Sequence, residues 1–200
     1  MPFEMTGIIL AGGKNSRIKR KKAFIQLPGG FSIIENTVAI FKRIFSEVII
    51  VANQPERYEK FRVRTVSDLI QGKGPLGGIF TGLCFSRNEH NFFVACDMPW
   101  INPSLIKYIL KKPKDYQVVI PQPKGKSEPL FARYSKSCLP VVFSHLQKER
   151  LKIRDIFKDL EVLKISPGEI KRFDPKGHSF LNINTEKDLK RVLKILSSQK

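Results

Sequence analysis

Little in this 200-residue chain can crosslink it, bind zinc or span a membrane. Its three cysteines, Cys84, Cys96 and Cys138, are odd in number and far apart. That excludes a disulfide framework and a CxxC metal motif. His90, His145 and His178 are scattered and give no zinc-ligand spacing. Apolar runs are short, and none approaches the ~20 residues of a membrane-crossing helix. Met1-Pro-Phe-Glu-Met-Thr6 has no basic start before its apolar stretch, which ends in glycines. A secretory leader is therefore not expected, and the expected compartment is the cytoplasm. Acidic residues are also scarce. Asp and Glu number 18 against 36 Lys and Arg, a formal net charge of +18. The imbalance is 14 against 8 in the first hundred residues and 22 against 10 in the second. Such a surplus suits an anionic partner, although a Lys-rich solvated surface would give the same count.

Apolar residues make up 42% of the chain, enough for one α/β core. Short apolar runs and glycine or proline punctuation alternate along it. Strands are expected at Thr6–Leu10, Val48–Ala52, Thr65–Ser67, Phe92–Cys96, Val118–Ile120, Pro129–Tyr134, Val162–Ile165 and Phe180–Ile183. Helical spacing marks Ser32–Phe45, Ile79–Ser86, Pro103–Lys111, Leu139–Gln147, Leu151–Leu160 and Glu186–Leu196, with a short helix at Pro55–Phe61. Gly72–Gly78 reads as a loop. This alternation predicts a largely parallel sheet with helices on both faces. Residues 1–200 read as one domain, with 121–180 as an insertion or lobe over the sheet's edge.

The most informative stretch is Gly7-Ile-Ile-Leu-Ala-Gly-Gly-Lys-Asn-Ser-Arg17, followed by the basic cluster Lys19 to Lys22. An apolar strand that ends in two glycines and a cationic loop suits a phosphate. Without a Cβ, Gly12 and Gly13 allow backbone N–H groups to approach it. Arg17 and Lys22 can then neutralise its charge. In open α/β sheets ligands bind at the carboxyl ends of the strands. The Gly12–Lys22 loop, Asn53, Asp68 and Asp97 all fall at such ends. Asp97 follows the buried run Phe92-Phe-Val-Ala-Cys96 and precedes Met98-Pro99. A carboxylate there suits magnesium, which takes one or two protein carboxylates, several waters and substrate phosphates. The same aspartate would also serve as a turn cap.

Two glycine motifs do not fit their usual roles. Gly125-Lys-Ser127 looks like the end of a P-loop, but Ile120 occupies the position of its first glycine. Gly72-Lys-Gly-Pro-Leu-Gly77 matches GxGxxG, yet Asp68–Gln71 separate it from the strand it should follow. No nucleophilic triad is apparent. An acceptor that is itself a phosphate needs none, because it is already ionised. The protein then has only to align two anions and screen their repulsion.

Leu10-Ala-Gly-Gly13 with Arg17 and Lys22 resembles the signature of the nucleotidyltransferases that activate phosphorylated acceptors. Gly74-Pro-Leu-Gly-Gly78, Cys96-Asp-Met-Pro99, Glu128-Pro-Leu-Phe-Ala132 and Phe180-Leu-Asn-Ile-Asn-Thr185 resemble motifs of the molybdenum cofactor guanylyltransferases, in the same order and across nearly the whole chain. The resemblance implies a Rossmann-like, mostly parallel sheet of the nucleotide-diphospho-sugar transferase type. Residues 1–100 would be the nucleotide-binding half and 101–200 the acceptor-binding half. It implies transfer of GMP from GTP to molybdenum-molybdopterin with release of pyrophosphate. Leu10, Ala11, Gly12 and Gly13 would contact the nucleotide, and Lys22, assisted by Arg17, its phosphates. Asp68 would contact the guanosine and Asp97 would hold Mg2+. Asn182 would complete the metal site or touch the phosphates, unless it only forms a turn. Arg17, Lys22 and Asp97 would be the catalytic set. Glu128–Ala132 and the basic residues nearby would face the pterin. Apoproteins of molybdoenzymes or cofactor-delivery proteins are implied partners; no membrane and no specific nucleic acid are. Ile18-Lys19 departs from the Met-Gly usual after the arginine. CTP with molybdopterin, or a sugar phosphate acceptor, is the nearest alternative, and nucleic-acid binding a more distant one.

Overall fold

The computed structural model describes residues 1–12 and 22–197. Gly13, Arg17 and Ile18-Lys19 lie outside the described residues. The described strands are β1 (Phe3–Leu10), β2 (Phe45–Val51), β3 (Arg64–Val66), β4 (His90–Ala95), β5 (Val118–Pro121), β6 (Phe131–Ser135) and β7 (Val162–Ile165). They form one sheet in the order β3-β2-β1-β4-β6-β5-β7. Every neighbouring pair is parallel except the two that include β6. The α/β class and the mostly parallel sheet are thus as expected.

Strand side chains alternate between the two faces. Ile9, Ile50, Phe92 and Val94 point to one face, where α1 (Ile33–Ile44) and α3 (Pro103–Leu110) pack through Phe41 and Ile106. Ile8, Leu10, Ile49, Val51 and Phe93 point to the other, covered by α2 (Gly74–Phe85) and α4 (Leu139–Gln147). Both faces being covered explains the near-continuous apolar strands. Each fully buried side chain of this size contributes about 1.5–3 kcal/mol. The short α5 (Pro167–Lys171) adds Ile170 to the first face, and α6 (Glu186–Ser197) packs Leu189 and Val192 against Ile25 and Ile33.

Helix α1 begins where its chemistry says it should. Ser32 and Glu35 form a reciprocal capping box. The bonds from Ser32, and then Lys60, lower the Glu35 carboxyl to about 2.

Helix α2 begins five residues before the expected Ile79, inside the glycine-rich stretch. Glycine is a poor helix former, but Pro75 suits the first turn and sheet packing overrides propensity. A Cβ on Gly82 would lie 2.8 Å from Phe93 and 2.9 Å from Ile8, and one on Gly78 3.1 Å from Leu10. The missing side chains let the helix settle on β1 and β4. Gly82→Ala should therefore destabilise the fold by about 1–3 kcal/mol through overpacking. An unchanged urea midpoint would show that the contact yields freely.

Three other expectations are corrected. Residues 121–180 do not form a lobe: they supply β6 and β7 to the same sheet, β6 entering antiparallel between β4 and β5. Within Leu151–Leu160 only Ile153–Lys158 winds, as a 3-10 segment. Phe180–Ile183 is not a strand. His178–Phe180 forms a 3-10 turn, with the buried Asp174 carboxylate accepting from the N–H groups of His178 and Ser179. The chain then runs across the end of β4, where the Ile183 N–H donates to the Asp97 carbonyl at 2.9 Å.

Candidate functional site

Strand register builds the site. Leu10 pairs with Val51 on one side and with Ala95 on the other, and Val51 pairs with Val66. Gly12, Asn53, Asp97 and Asp68 each lie two residues beyond one of these aligned positions. All four therefore emerge at one carboxyl edge, as the sequence predicted. Backbone bonds hold the turns level: Ala11 N–H donates to Val51, Ala52 to Val66 and Cys96 to Leu10.

These residues line a cleft of about 710 Å³, which also takes in Lys22, Tyr58, Gln71, Gly74 and Leu130. Its size suits a small-molecule ligand. At one end, a Cβ on Gly12 would stand 3.6 Å from both Asn53 Oδ1 and Asp68 Oδ2. Gly12 thus keeps its backbone open beside two polar side chains. Asp68 Oδ1 is buried without a partner, and burial raises the Asp68 carboxyl above its ordinary range. A buried oxygen lacking a donor is costly, so this end is prepared for a ligand with N–H groups. Tyr58 OH donates to the Ala11 carbonyl at 3.5 Å, a long bond, and burial lifts its phenol to about 12.

At the other end, the turn Lys22–Phe24 buries Ala23, with Ile25 buried just beyond it. That anchors the backbone and projects Lys22 into the cleft. Lys22 Nζ lies 3.2 Å from Asp97 Oδ2 and 2.7 Å from Asn184 Oδ1. Lys22 and Asp97 keep 17% and 21% of their side-chain exposure, so the pair sits at the mouth of the cleft rather than in the core. Asn182 Oδ1 is buried and unpartnered, and the bond from Ile183 to Asp97 ties its segment to the same place. Cys96 is partly buried in the cleft wall; burial, with the Asp97 charge, pushes its thiol to about 12, which makes it an unreactive neighbour.

The structure brings together Leu10, Ala11, Gly12, Lys22, Asp68 and Asp97 around one cleft. It separates the Glu128–Ala132 segment. Phe131 and Ala132 are core residues, whereas Leu130 lines the cleft. Pro129 borders a second hollow of about 440 Å³ with Pro75, Leu151, Lys152 and Arg154. Burial and then the Asp97 charge raise the Glu128 carboxyl, while Arg154 lowers it. Sequence reading missed Asn184: nothing local in Asn-Thr-Glu-Lys signals a contact with Lys22, 162 residues away. Among the described residues no three His, Cys, Asp or Glu side chains gather as a metal cluster. None of the described helices is long and apolar enough to cross a membrane.

Comparison with known proteins agrees with this geometry. Residues 7–163 match the family model described as MobA-like NTP transferase domain. The chain is 36% identical to a probable molybdenum cofactor guanylyltransferase of Natranaerobius thermophilus, over 98% of each chain. It is 35% identical to the molybdenum cofactor guanylyltransferase of Desulfosudis oleivorans, over 94% of each. Molybdopterin-guanine dinucleotide biosynthesis protein A from Archaeoglobus fulgidus superposes with a TM-score of 0.83 at 26% identity, covering 96% of this chain and 99% of that one. The 4-diphosphocytidyl-2C-methyl-D-erythritol synthase of Anaerococcus prevotii, 16% identical with a TM-score of 0.74, shares the fold. A match of such length places this chain in the MobA-like NTP transferase domain family.

Proposed function

We propose that this chain transfers the GMP moiety of GTP to the terminal phosphate of molybdenum-molybdopterin. The acceptor's phosphate oxygen attacks the α-phosphorus. A P–O bond forms there, and the bond to the bridging oxygen of the β-phosphate breaks. Pyrophosphate leaves with the electron pair, and no proton need move. The observation that carries the reading is the arrangement of one cleft, with an open Gly12 backbone and the Asp68 carboxylate at one end and Lys22 with Asp97 at the other, in a chain that matches guanylyltransferases over nearly its whole length.

The residues take roles their surroundings support. The Gly12 backbone, left open by its missing Cβ, faces the nucleotide beside Leu10 and Ala11, the Ala11 N–H being already given to Val51. Asp68 accepts from the guanine base, whose N1–H and exocyclic amine offer two adjacent donors to its half-buried carboxylate. Lys22, with Arg17 by resemblance, neutralises the phosphates. The Asp97 carboxylate would hold Mg2+, and the orphaned amide oxygen of Asn182, on the segment that Ile183 ties to Asp97, would complete a hard oxygen set for it. When bound, Mg2+ supplies charge neutralisation of the polyphosphate. Pro75 borders both the cleft and the second hollow, which supports the basic wall of Lys152 and Arg154 as the acceptor side.

Pyrophosphate release from GTP, CTP or ATP in the presence of molybdopterin tests the assignment. The wild type should prefer GTP, and Asp68→Asn should lose that preference by about tenfold or more. Preferential use of CTP by the wild type would remove the guanine assignment.

A further inference from the structure

Lys22 stands where a cation at Asp97 would need to stand. Among the described residues its ammonium meets Asp97 Oδ2 at 3.2 Å and Asn184 Oδ1 at 2.7 Å, and Asn184 is the nearer. Asn184 is exposed, but its backbone is held on both sides. The Asp188 carboxylate accepts from the N–H of Asn184 at 3.1 Å and from the N–H and hydroxyl of Thr185 at 2.8 and 2.9 Å, which caps α6. On its other side, Ile183 N–H is fixed to the Asp97 carbonyl at 2.9 Å. The backbone of Asn184 is therefore pinned both to a helix start and to the residue that Lys22 touches.

Resting on the assignment of Asp97 as the metal carboxylate, we propose that Lys22 and a divalent cation exclude each other at Asp97, and that Asn184 is a positioning residue that holds the lysine partly off that carboxylate. Two cations within a few ångströms repel strongly in a half-buried cleft. Without nucleotide, the ammonium neutralises Asp97 and holds the cation off. A triphosphate offers Lys22 more negative charge than one carboxylate does, and its departure opens Asp97. Nucleotide and cation then bind with positive coupling, each improving the other's affinity by the same factor. Asn184 sets how far the lysine leans on Asp97 in the meantime.

Mn2+ binding to the nucleotide-free full-length chain, followed as free Mn2+ by electron paramagnetic resonance, tests this without turnover. Lys22→Met should tighten Mn2+ by about tenfold, since a like charge is removed. Asn184→Ala should weaken it by about two- to threefold, because the ammonium then closes on Asp97. In the Lys22→Met background, Asn184→Ala should change nothing. A Lys22→Met chain that binds Mn2+ no more tightly than wild type overturns the exclusion. A loss from Asn184→Ala that persists without Lys22 overturns the positioning role and makes Asn184 a direct ligand. Absence of Mn2+ binding even in Lys22→Met overturns the proposal as well. Asp97→Ala in the Lys22→Met background separates the two levels: Mn2+ binding that survives it removes the metal assignment itself. Binding that it abolishes, with no tightening by Lys22→Met, removes only the exclusion.

Discussion

Asp97→Ala should lower kcat for GMP transfer by about 1,000-fold or more while leaving the fold intact, an effect of about 4 kcal/mol on the transition state. The carboxylate stands at the mouth of β4, outside the packed faces of the sheet. Removing it opens no cavity. Its backbone carbonyl, which accepts from Ile183, is untouched by the substitution. What goes is the side-chain charge that Lys22 faces and the cation would use. Paired reacting anions then meet with less neutralisation, and only interactions made at the transition state raise kcat. The variant should therefore melt within a few degrees of wild type. Turnover at the wild-type rate would exclude Asp97 from the chemistry, whereas loss of activity together with loss of cooperative melting would make it structural.

The largest expected effect on stability lies elsewhere. Arg133 on β6 is fully buried, and its guanidinium donates to the carbonyls of Leu110 at 3.3 Å, of Lys112 at 2.7 Å and of Pro113. Leu110 ends α3, where the helix leaves acceptors without intrahelical partners and the dipole favours positive charge, and Lys112 and Pro113 follow just beyond its cap. Burial lowers the Arg133 pKa to about 10, so it still carries its charge at neutral pH. Two effects oppose each other in Arg133→Met. The substitution removes a costly buried charge, which alone would stabilise. It also strips three carbonyls of charge-assisted bonds worth about 1.5–3 kcal/mol each. The bonds should win. A net loss of about 2–4 kcal/mol is expected, or roughly 10 °C in Tm for a chain of this size. A Tm within about 2 °C of wild type would mean that desolvation cancels the bonds.

Much of this molecule is legible in its sequence because the governing physics is local. Ser32 and Glu35 cap a helix wherever that spacing precedes an apolar stripe. A buried parallel strand needs a continuous apolar run, and Ile8-Ile-Leu10, Val48-Ile-Ile-Val51 and Phe92-Phe-Val94 all supply one. The polar residues just beyond those runs must then appear at the carboxyl edge, which is why Gly12, Asp68 and Asp97 were identifiable as site candidates before any coordinates.

Other features depended on contacts between distant segments. Whether Gly74–Gly78 is loop or helix rests on whether Leu10 leaves room beside Gly78, and Ile8 and Phe93 beside Gly82 one turn on, for a closely packed backbone, and glycine's own preference points the wrong way. Phe180–Ile183 has a strand's composition, but it crosses the end of the central β4 instead of running beside an edge strand, and Asp97 supplies the acceptor there. Nothing in a pattern of residues says that β6 should enter the sheet antiparallel, or that Arg133 should find the end of α3. Composition, period and caps determined which segments become strands and helices and which turns bear the polar groups. Only the tertiary structure decided which of those groups meet, because the pairing of Lys22 with Asp97 and Asn184 is set by sheet order and chain crossing, and these follow from the joint burial of faces far apart in sequence.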